Sequence, residues 1–191
     1  MRIASGAFLR NHSVWACDFL QTYDVWFRPI FAFLIIDVST KRVVDVSVTR
    51  APTQAWTAQQ LRNAMPLDDG PQFLIRDRDD KFGADFGRVA KGAGTRIIRS
   101  AVRAPLINSI CERFLGSVRR ECLDHIVILG ARHLRKVLEE YCFAYFNGAR
   151  PHLGLAQRVP VPMSDESDRA TGTIDVTPVL GGLHHDYRMA A

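Results

Sequence analysis

Three acidic residues lie in, or directly after, segments that are predicted to form regular secondary structure. Asp77 directly follows the strand-forming run 73–76, Asp18 lies inside the strand-like run 13–20, and Glu112 lies near the start of a helical segment. A carboxylate at the end of a buried strand is costly unless it is paired or holds a cation. Magnesium prefers such hard oxygen ligands, and two or three carboxylates suffice because the ion keeps several waters. We therefore predict that the three acids converge on divalent metal.

Two magnesium ions about 3.5–4 Å apart suit displacement at a phosphodiester, because one activates the attacking oxygen and the other stabilises the departing oxygen. The ligands need not be close in sequence, but each must sit on a rigid element. Asp18, Asp77 and Glu112 meet that requirement. The expected chemistry is cleavage or joining of a nucleic-acid backbone with two Mg²⁺ or Mn²⁺ ions.

The helical segment around Glu112 has two distinct faces. Three apolar residues at spacings of four predict its buried face: Ile110, Phe114 and Val118. A second face presents an amide, a carboxylate and a guanidinium to one neighbour: Asn108, Glu112 and Arg119. Asn108 is also a candidate N-cap. Arg113 and Arg120 flank this second face, where they would meet phosphates.

The remaining pattern predicts the scaffold. Strands are predicted over 13–20, 30–37, 42–49, 72–76 and 95–98, and helices over 53–64, 81–92, about 109–124 and about 131–147. An antiparallel meander followed by alternating helix and strand indicates an α/β fold with a five-stranded mixed sheet flanked by helices. Residues 99–107 are interpreted as a mobile loop. The predicted organisation is a lead-in over 1–12, a core over 13–150 and a loosely attached tail over 151–191.

Bulk composition is that of an ordinary globular protein. The 191 residues are 47% hydrophobic and 24% charged, and the net charge of +5 with a pI of about 9.3 is compatible with a polyanionic partner. The four cysteines lie in apolar segments without a Cys-x-x-Cys pair, which predicts reduced, buried thiols. No apolar run reaches the roughly 20 residues that span a bilayer. We expect a cytoplasmic protein.

Several motifs, taken together, resemble a known family. They are 15–19, 73–79 with Phe82, 102–105, 108–113, 118–124, 145–147 and 150–152, and the weaker tail segment 180–187. In order and separation, with 58 residues between Asp18 and Asp77 and 34 between Asp77 and Glu112, they resemble the catalytic core of retroviral-type (rve) integrases and insertion-sequence transposases. That family has a ribonuclease H-like fold and a DDE triad. The resemblance covers roughly residues 13–155.

Carried over residue by residue, the family's catalytic and metal-binding triad falls on Asp18, Asp77 and Glu112. The implied reaction is hydrolysis of one DNA strand at an element end, followed by attack of the freed 3′-hydroxyl on target DNA. The implied partners are both DNAs and at least one further copy of the chain. The expected DNA-contacting residues are Asn108, Arg103, Arg113, Arg119 and Arg120. For Arg103 an ordinary solvated position is an equal alternative.

The chain also departs from the family. Such enzymes normally carry an N-terminal helix-turn-helix or zinc-binding domain, whereas about twelve residues precede the first predicted strand. This predicts either a separately encoded helix-turn-helix protein or a truncated remnant that binds DNA or dimerises without catalysis. A simpler ribonuclease H-like nuclease is the other alternative.

Several histidines and one arginine have open interpretations. His152, His184 and His185 lack a cysteine pair at zinc-ligand spacing, so we expect them to be solvent-exposed or to cap helices. Arg150 either ends a helix or touches phosphate.

Overall fold

The computed structural model describes residues 12–65, 70–99, 105–161 and 173–189. Its centre is a five-stranded sheet in the order β3-β2-β1-β4-β5. The strands are β1 (Val14–Tyr23), β2 (Pro29–Asp37), β3 (Val43–Thr49), β4 (Phe73–Arg76) and β5 (Arg96–Arg99). The first three pair antiparallel, whereas β4 pairs parallel with β1 and β5 pairs parallel with β4. The predicted five-stranded mixed sheet is confirmed.

Helices cover both faces of this sheet. Alternation along the strands sends Trp15, Cys17 and Leu74 into one core cluster with helices α1 (Gln54–Ala64) and α2 (Ala84–Gly92). Val14, Ala16 and Ile75 enter the opposite cluster with α3 (Pro105–Glu121) and α4 (Ala131–Glu139), which continues with π-helical geometry through Glu140–Phe146. Within the described ranges no helix is long and apolar enough to cross a membrane.

Helix α3 begins earlier than its periodicity indicates. It starts at Pro105 rather than near residue 109, so the loop prediction was wrong for 105–107. Proline suits the first turn because its fixed φ is helical and its missing N–H would have had no helical partner there. Asn108 therefore lies inside the helix and is not its N-cap. Residues 100–104 lie outside the described ranges.

The buried face of α3 is close to the predicted one. Phe114 and Val118 are buried as expected, and Cys111 is more deeply buried than the predicted Ile110. Burying a large apolar side chain contributes about 1.5–3 kcal/mol, so this stripe fixes the helix on the sheet. All four cysteines are buried and free, as the sequence predicted.

The C-terminal segment is held on the core rather than loosely attached. Strands β6 (Ile174–Val179) and β7 (His184–Met189) form an antiparallel hairpin. The His184 ring stacks on Tyr145 with ring centroids 3.9 Å apart, and its Nε2 lies 2.7 Å from the Glu121 carbonyl oxygen. The prediction of a loose tail was therefore wrong for 173–189, because a half-buried aromatic contact and a polar contact dock the hairpin. The expectation that His184 caps a helix agrees with its bond to the last carbonyl of α3.

Candidate active site

The parallel pairing of β1 with β4 brings two of the three predicted acids side by side. Ala16 is the register partner of Ile75. Asp18 lies two residues further along β1, and Asp77 directly follows the last residue of β4. Continuing the register by two residues would set the two acids opposite one another. Alternation directs both toward the face that α3 covers. Distant sequence positions thus become neighbours at one end of the sheet.

Backbone hydrogen bonds orient both carboxylates, which are half-buried. The Phe19 amide donates to Asp18 Oδ1 at 2.7 Å, and the Asp79 amide donates to Asp77 Oδ1 at 3.0 Å. The second contact closes a turn in which Asp77 caps the chain after β4. Asp79 is itself paired with Lys81, Oδ2 to Nζ 2.6 Å apart. Burial raises the pKa of Asp79, but the hydrogen bonds and charge of Lys81 outweigh it and lower that pKa overall.

Glu112 reaches the same end of the sheet from α3. It is exposed, while the adjacent Cys111 is completely buried beneath the helix. The pKa of the Cys111 thiol is raised, first by burial and then by the charges of Asp18, Cys17, Asp77 and Glu112. Cys111 is therefore a common neighbour of all three predicted acids. Sequence reasoning did not identify it in this position.

The three carboxylates do not form a closed ligand cage. Among the residues that the structure describes, no group of three or more His, Cys, Asp or Glu side chains is close enough to hold a metal ion together. The donor chemistry nevertheless fits a hard cation. The pKa of Cys17 and that of Cys111 are both raised, chiefly by burial, so these thiols are protonated and are poor ligands for a metal. The three acids offer carboxylate oxygens, which favour magnesium or manganese over zinc.

Three of the predicted DNA-contacting residues lie exposed along α3: Arg113, Arg119 and Arg120. Arg119 Nη2 donates to the Gln21 carbonyl oxygen at 3.1 Å, which holds the C-terminal half of α3 beside the end of β1. Arg103 lies outside the described residues. Asn108 lies in α3 among residues whose side chains are not described.

Arg113 also lines a cavity of about 190 Å³ whose walls combine apolar and basic residues. Its other cationic or titratable walls are Lys41, Arg150 and His152. Burial and the charge of Arg113 lower the pKa of Lys41. Nothing in the sequence indicated Lys41, because it lies in the turn between β2 and β3, far along the chain from Arg113.

Arg150 and His152 have structural partners in this cavity. The Arg150 guanidinium binds both Glu121 carboxylate oxygens, at 2.7 and 2.8 Å. His152 is buried, with its Nε2 2.9 Å from the Phe146 carbonyl oxygen at the end of a helix. Capping was therefore the correct interpretation for His152, and solvent exposure was not.

The fold is similar to that of several solved integrase structures. It is similar to the magnesium complex of the HTLV-2 integrase catalytic core domain, with a TM-score of 0.55 at 14% identity over 78% of this chain and 93% of that chain. It is also similar to a chain of the simian T-cell lymphotropic virus intasome, with a TM-score of 0.61 at 13% identity over 92% of this chain and 66% of that chain. The BIV integrase core gives a TM-score of 0.52 at 15% identity, over 78% and 90% of the two chains. The chain therefore has the ribonuclease H-like fold of integrase catalytic cores.

Sequence comparison finds similarity to an integrase domain and to proteins of insertion elements. Residues 93–160 match the integrase core domain family. The chain is 26% identical to the uncharacterized 31.7 kDa protein of insertion element IS407 from Burkholderia multivorans, over 78% of this chain and 54% of that protein. It is 24% identical to the uncharacterized 39.2 kDa protein of insertion element IS476 from Xanthomonas euvesicatoria, over 91% and 50%. Part of the chain is thus similar to the integrase core domain family, and the chain spans about half the length of the curated relatives it matches.

Proposed function

We propose that this chain is the catalytic core of a transposase that cleaves one DNA strand at a mobile-element end and joins the freed 3′-hydroxyl to target DNA. The observation that supports it most is that β1, which contains Asp18, pairs parallel with β4, which Asp77 directly follows, and that Cys111, next to Glu112, is influenced by the charges of all three acids. Both reaction steps are in-line displacements at phosphorus and require no covalent bond to the protein.

The three carboxylates would hold the divalent metal in this proposal. When bound, the metal activates the attacking oxygen and stabilises the departing one. The contribution of the chain itself is orientation: the Phe19 and Asp79 amides fix Asp18 and Asp77. The HTLV-2 core with the same fold was solved in complex with magnesium, which supports this assignment.

The DNA partner is inferred from the charge around the carboxylates. Arg113, Arg119 and Arg120 lie along the helix that carries Glu112, and Asn108 and Arg103 precede them in sequence. Arginines facing phosphates supply affinity and register without sequence preference. Recognition of the element ends is then assigned to a separately encoded helix-turn-helix protein.

Assembly of at least two copies also belongs to the proposal. A reaction that joins two element ends to one target needs more than one active site. The HTLV-2 core was solved in trimeric and dimeric forms, and the simian viral integrase was solved within an intasome. These relatives support a homo-oligomer for this chain.

The decisive experiment is the variant Glu112→Gln in a manganese-dependent joining assay with pre-cleaved element ends. Loss of a ligand at such a site costs several kcal/mol of barrier, so we expect joining to fall by about a thousandfold. The fold should be retained because Glu112 is exposed. Glu139→Gln, which removes the same charge from α4, is the matched control and should join normally.

Two outcomes would contradict the proposal. A decrease of only a few-fold in Glu112→Gln would argue against the metal role of that residue. Cleavage of DNA or of an RNA hybrid by the unaltered chain, with no joining, would indicate the nuclease alternative instead.

A further inference from the structure

A buried arginine lies immediately before Asp77. Arg76 is 6% exposed, and within the part of the chain that the structure describes it has no carboxylate partner and its buried Nε has no hydrogen-bond partner. Its Nη1 donates to the Asp77 carbonyl oxygen at 2.9 Å, and its Cζ lies 5.1 Å from the centroid of the Phe82 ring. A buried guanidinium is normally paired with an acid, since an uncompensated charge and an unsatisfied N–H are both costly. The buried guanidinium of Arg76 is therefore a candidate group for binding an anion.

A cavity of about 470 Å³ opens beside this guanidinium. Its walls include three arginines, two aspartates and one aromatic ring: Arg76, Arg78, Arg99, Asp79, Asp80 and Phe82. Arg99 on β5 is the register partner of Arg76 on β4, so two cationic residues stand side by side at the ends of parallel strands. We call this space the arginine cavity.

The acidic walls do not cancel this charge fully. Asp79 is engaged by Lys81, whose Nζ lies 2.6 Å from its Oδ2. The Asp80 backbone carbonyl accepts a hydrogen bond from Gln54 Nε2 at 3.0 Å, which ties the loop after β4 to helix α1. Asp80 itself is exposed. The cavity therefore keeps an excess of guanidinium groups over unpaired acids.

We propose that the arginine cavity binds a backbone phosphodiester of the DNA strand handled at Asp18, Asp77 and Glu112. A guanidinium can match two oxygens of one phosphate, and this bidentate geometry favours arginine over lysine. Strand alternation places Arg76 and Asp77 on opposite faces of the sheet. The bound phosphate is therefore not the reacting one but belongs to a nucleotide that passes the same strand end. The choice of DNA as ligand rests on the proposed function.

The test measures binding of a single-stranded oligonucleotide of about 12 nucleotides by fluorescence anisotropy, in EDTA so that no metal takes part. Arg76→Lys keeps the positive charge but loses the bidentate hydrogen-bonding geometry of the guanidinium, and Arg76→Met loses both. We expect each to raise the Kd about tenfold. Arg99→Gln should raise it several-fold. Arg96→Gln removes the same charge from the other end of β5 and should leave the Kd within about twofold of wild type.

Asp80 provides the competing explanation, because its carboxylate could turn inward and pair with Arg76. In that case Asp80→Asn and Arg76→Met would each lower the melting temperature, the double variant would add nothing further, and oligonucleotide binding would be unchanged. That result would overturn the proposal. Under the proposal Asp80→Asn instead tightens oligonucleotide binding, since it removes a negative charge from the cavity.

Inorganic phosphate distinguishes a nucleic-acid site from a site for a free anion. If phosphate raises the melting temperature of the wild type while Arg76 variants bind the oligonucleotide normally, the cavity serves a free anion and the proposal fails. Because these measurements need neither metal nor joining activity, their outcome is independent of the Glu112→Gln experiment.

Discussion

Among single residues, Asp24 illustrates a carboxylate used for structure rather than for chemistry. It is buried at the end of β1, where its Oδ1 accepts from the Trp26 and Arg28 amides, both at 3.0 Å. Its Oδ2 accepts from the guanidinium groups of Arg28 and Arg50, at 3.0 and 2.6 Å. These four bonds close the β1–β2 connection and leave Asp24 no role at the candidate site.

The acid dependence of stability should report this residue. Burial raises the pKa of Asp24, but bonds from the Arg28 amide, the Arg50 and Arg28 guanidinium groups and the Trp26 amide lower it to about 2. A depressed carboxyl pKa stabilises the fold fully above the unfolded value of about 4, and this contribution is lost as pH falls through about 2. We expect Asp24→Asn to lower the melting temperature at pH 7 and to flatten its decline between about pH 4 and pH 2.

Thermal unfolding monitored by circular dichroism across that pH range would check this. Asp124→Asn removes an exposed carboxylate and should give the wild-type pH profile. Profiles of Asp24→Asn and wild type that run parallel would show that this network does not control acid stability.

The residue scale also shows which parts of the site the sequence can predict. Asp18 and Asp77 can be predicted as site residues because each carboxylate lies in, or directly after, a segment with a local strand pattern. The role of Arg76 could not be predicted, because in sequence it looks like the polar end of a strand. Its burial and its contact with the Phe82 ring are seen only in the folded structure. Charges that meet through tertiary packing leave no local signal.

At the scale of elements, the strands follow from the sequence better than the helix and tail boundaries do. All five sheet strands were predicted within a few residues because period-two alternation is a strong signal. The sequence prediction places the start of α3 too late because proline is common in loops. Pro105 instead occupies the first helical turn, which proline also favours. The C-terminal hairpin was missed because its stability comes from docking, and two isolated strands are marginal on their own.

The docking of this hairpin should depend on one histidine. His184 stacks on Tyr145 and binds the Glu121 carbonyl, whereas the neighbouring His185 is exposed. Loss of an aromatic pair and a hydrogen bond should reduce the hydrogen-exchange protection of 173–189 about tenfold or more in His184→Ala. His185→Ala is the matched control and should retain most of the protection. Equal protection in both variants would mean that other contacts hold the hairpin.

At the scale of the whole molecule, basic groups line a cavity on each face of the sheet. The arginine cavity lies on the α1–α2 side, and the cavity lined by Lys41 and Arg113 lies on the α3 side. A net charge of +5 is modest for DNA binding, so placement matters more than the total. A DNA path that contacts both cavities would run from one face of the sheet to the other.

Salt dependence of duplex binding tests the α3 side of this path. Each phosphate contact contributes about 0.9 to the slope of log K against log salt, because binding releases condensed counterions. If Lys41 meets a phosphate, Lys41→Gln should make the slope shallower by about 0.9 in a titration without metal. Lys91→Gln removes an exposed lysine from α2, across the sheet and away from both cavities, and should leave the slope unchanged. Equal slopes for the two variants would exclude a phosphate contact at Lys41 and confine the DNA path to the exposed arginines of α3 and the arginine cavity.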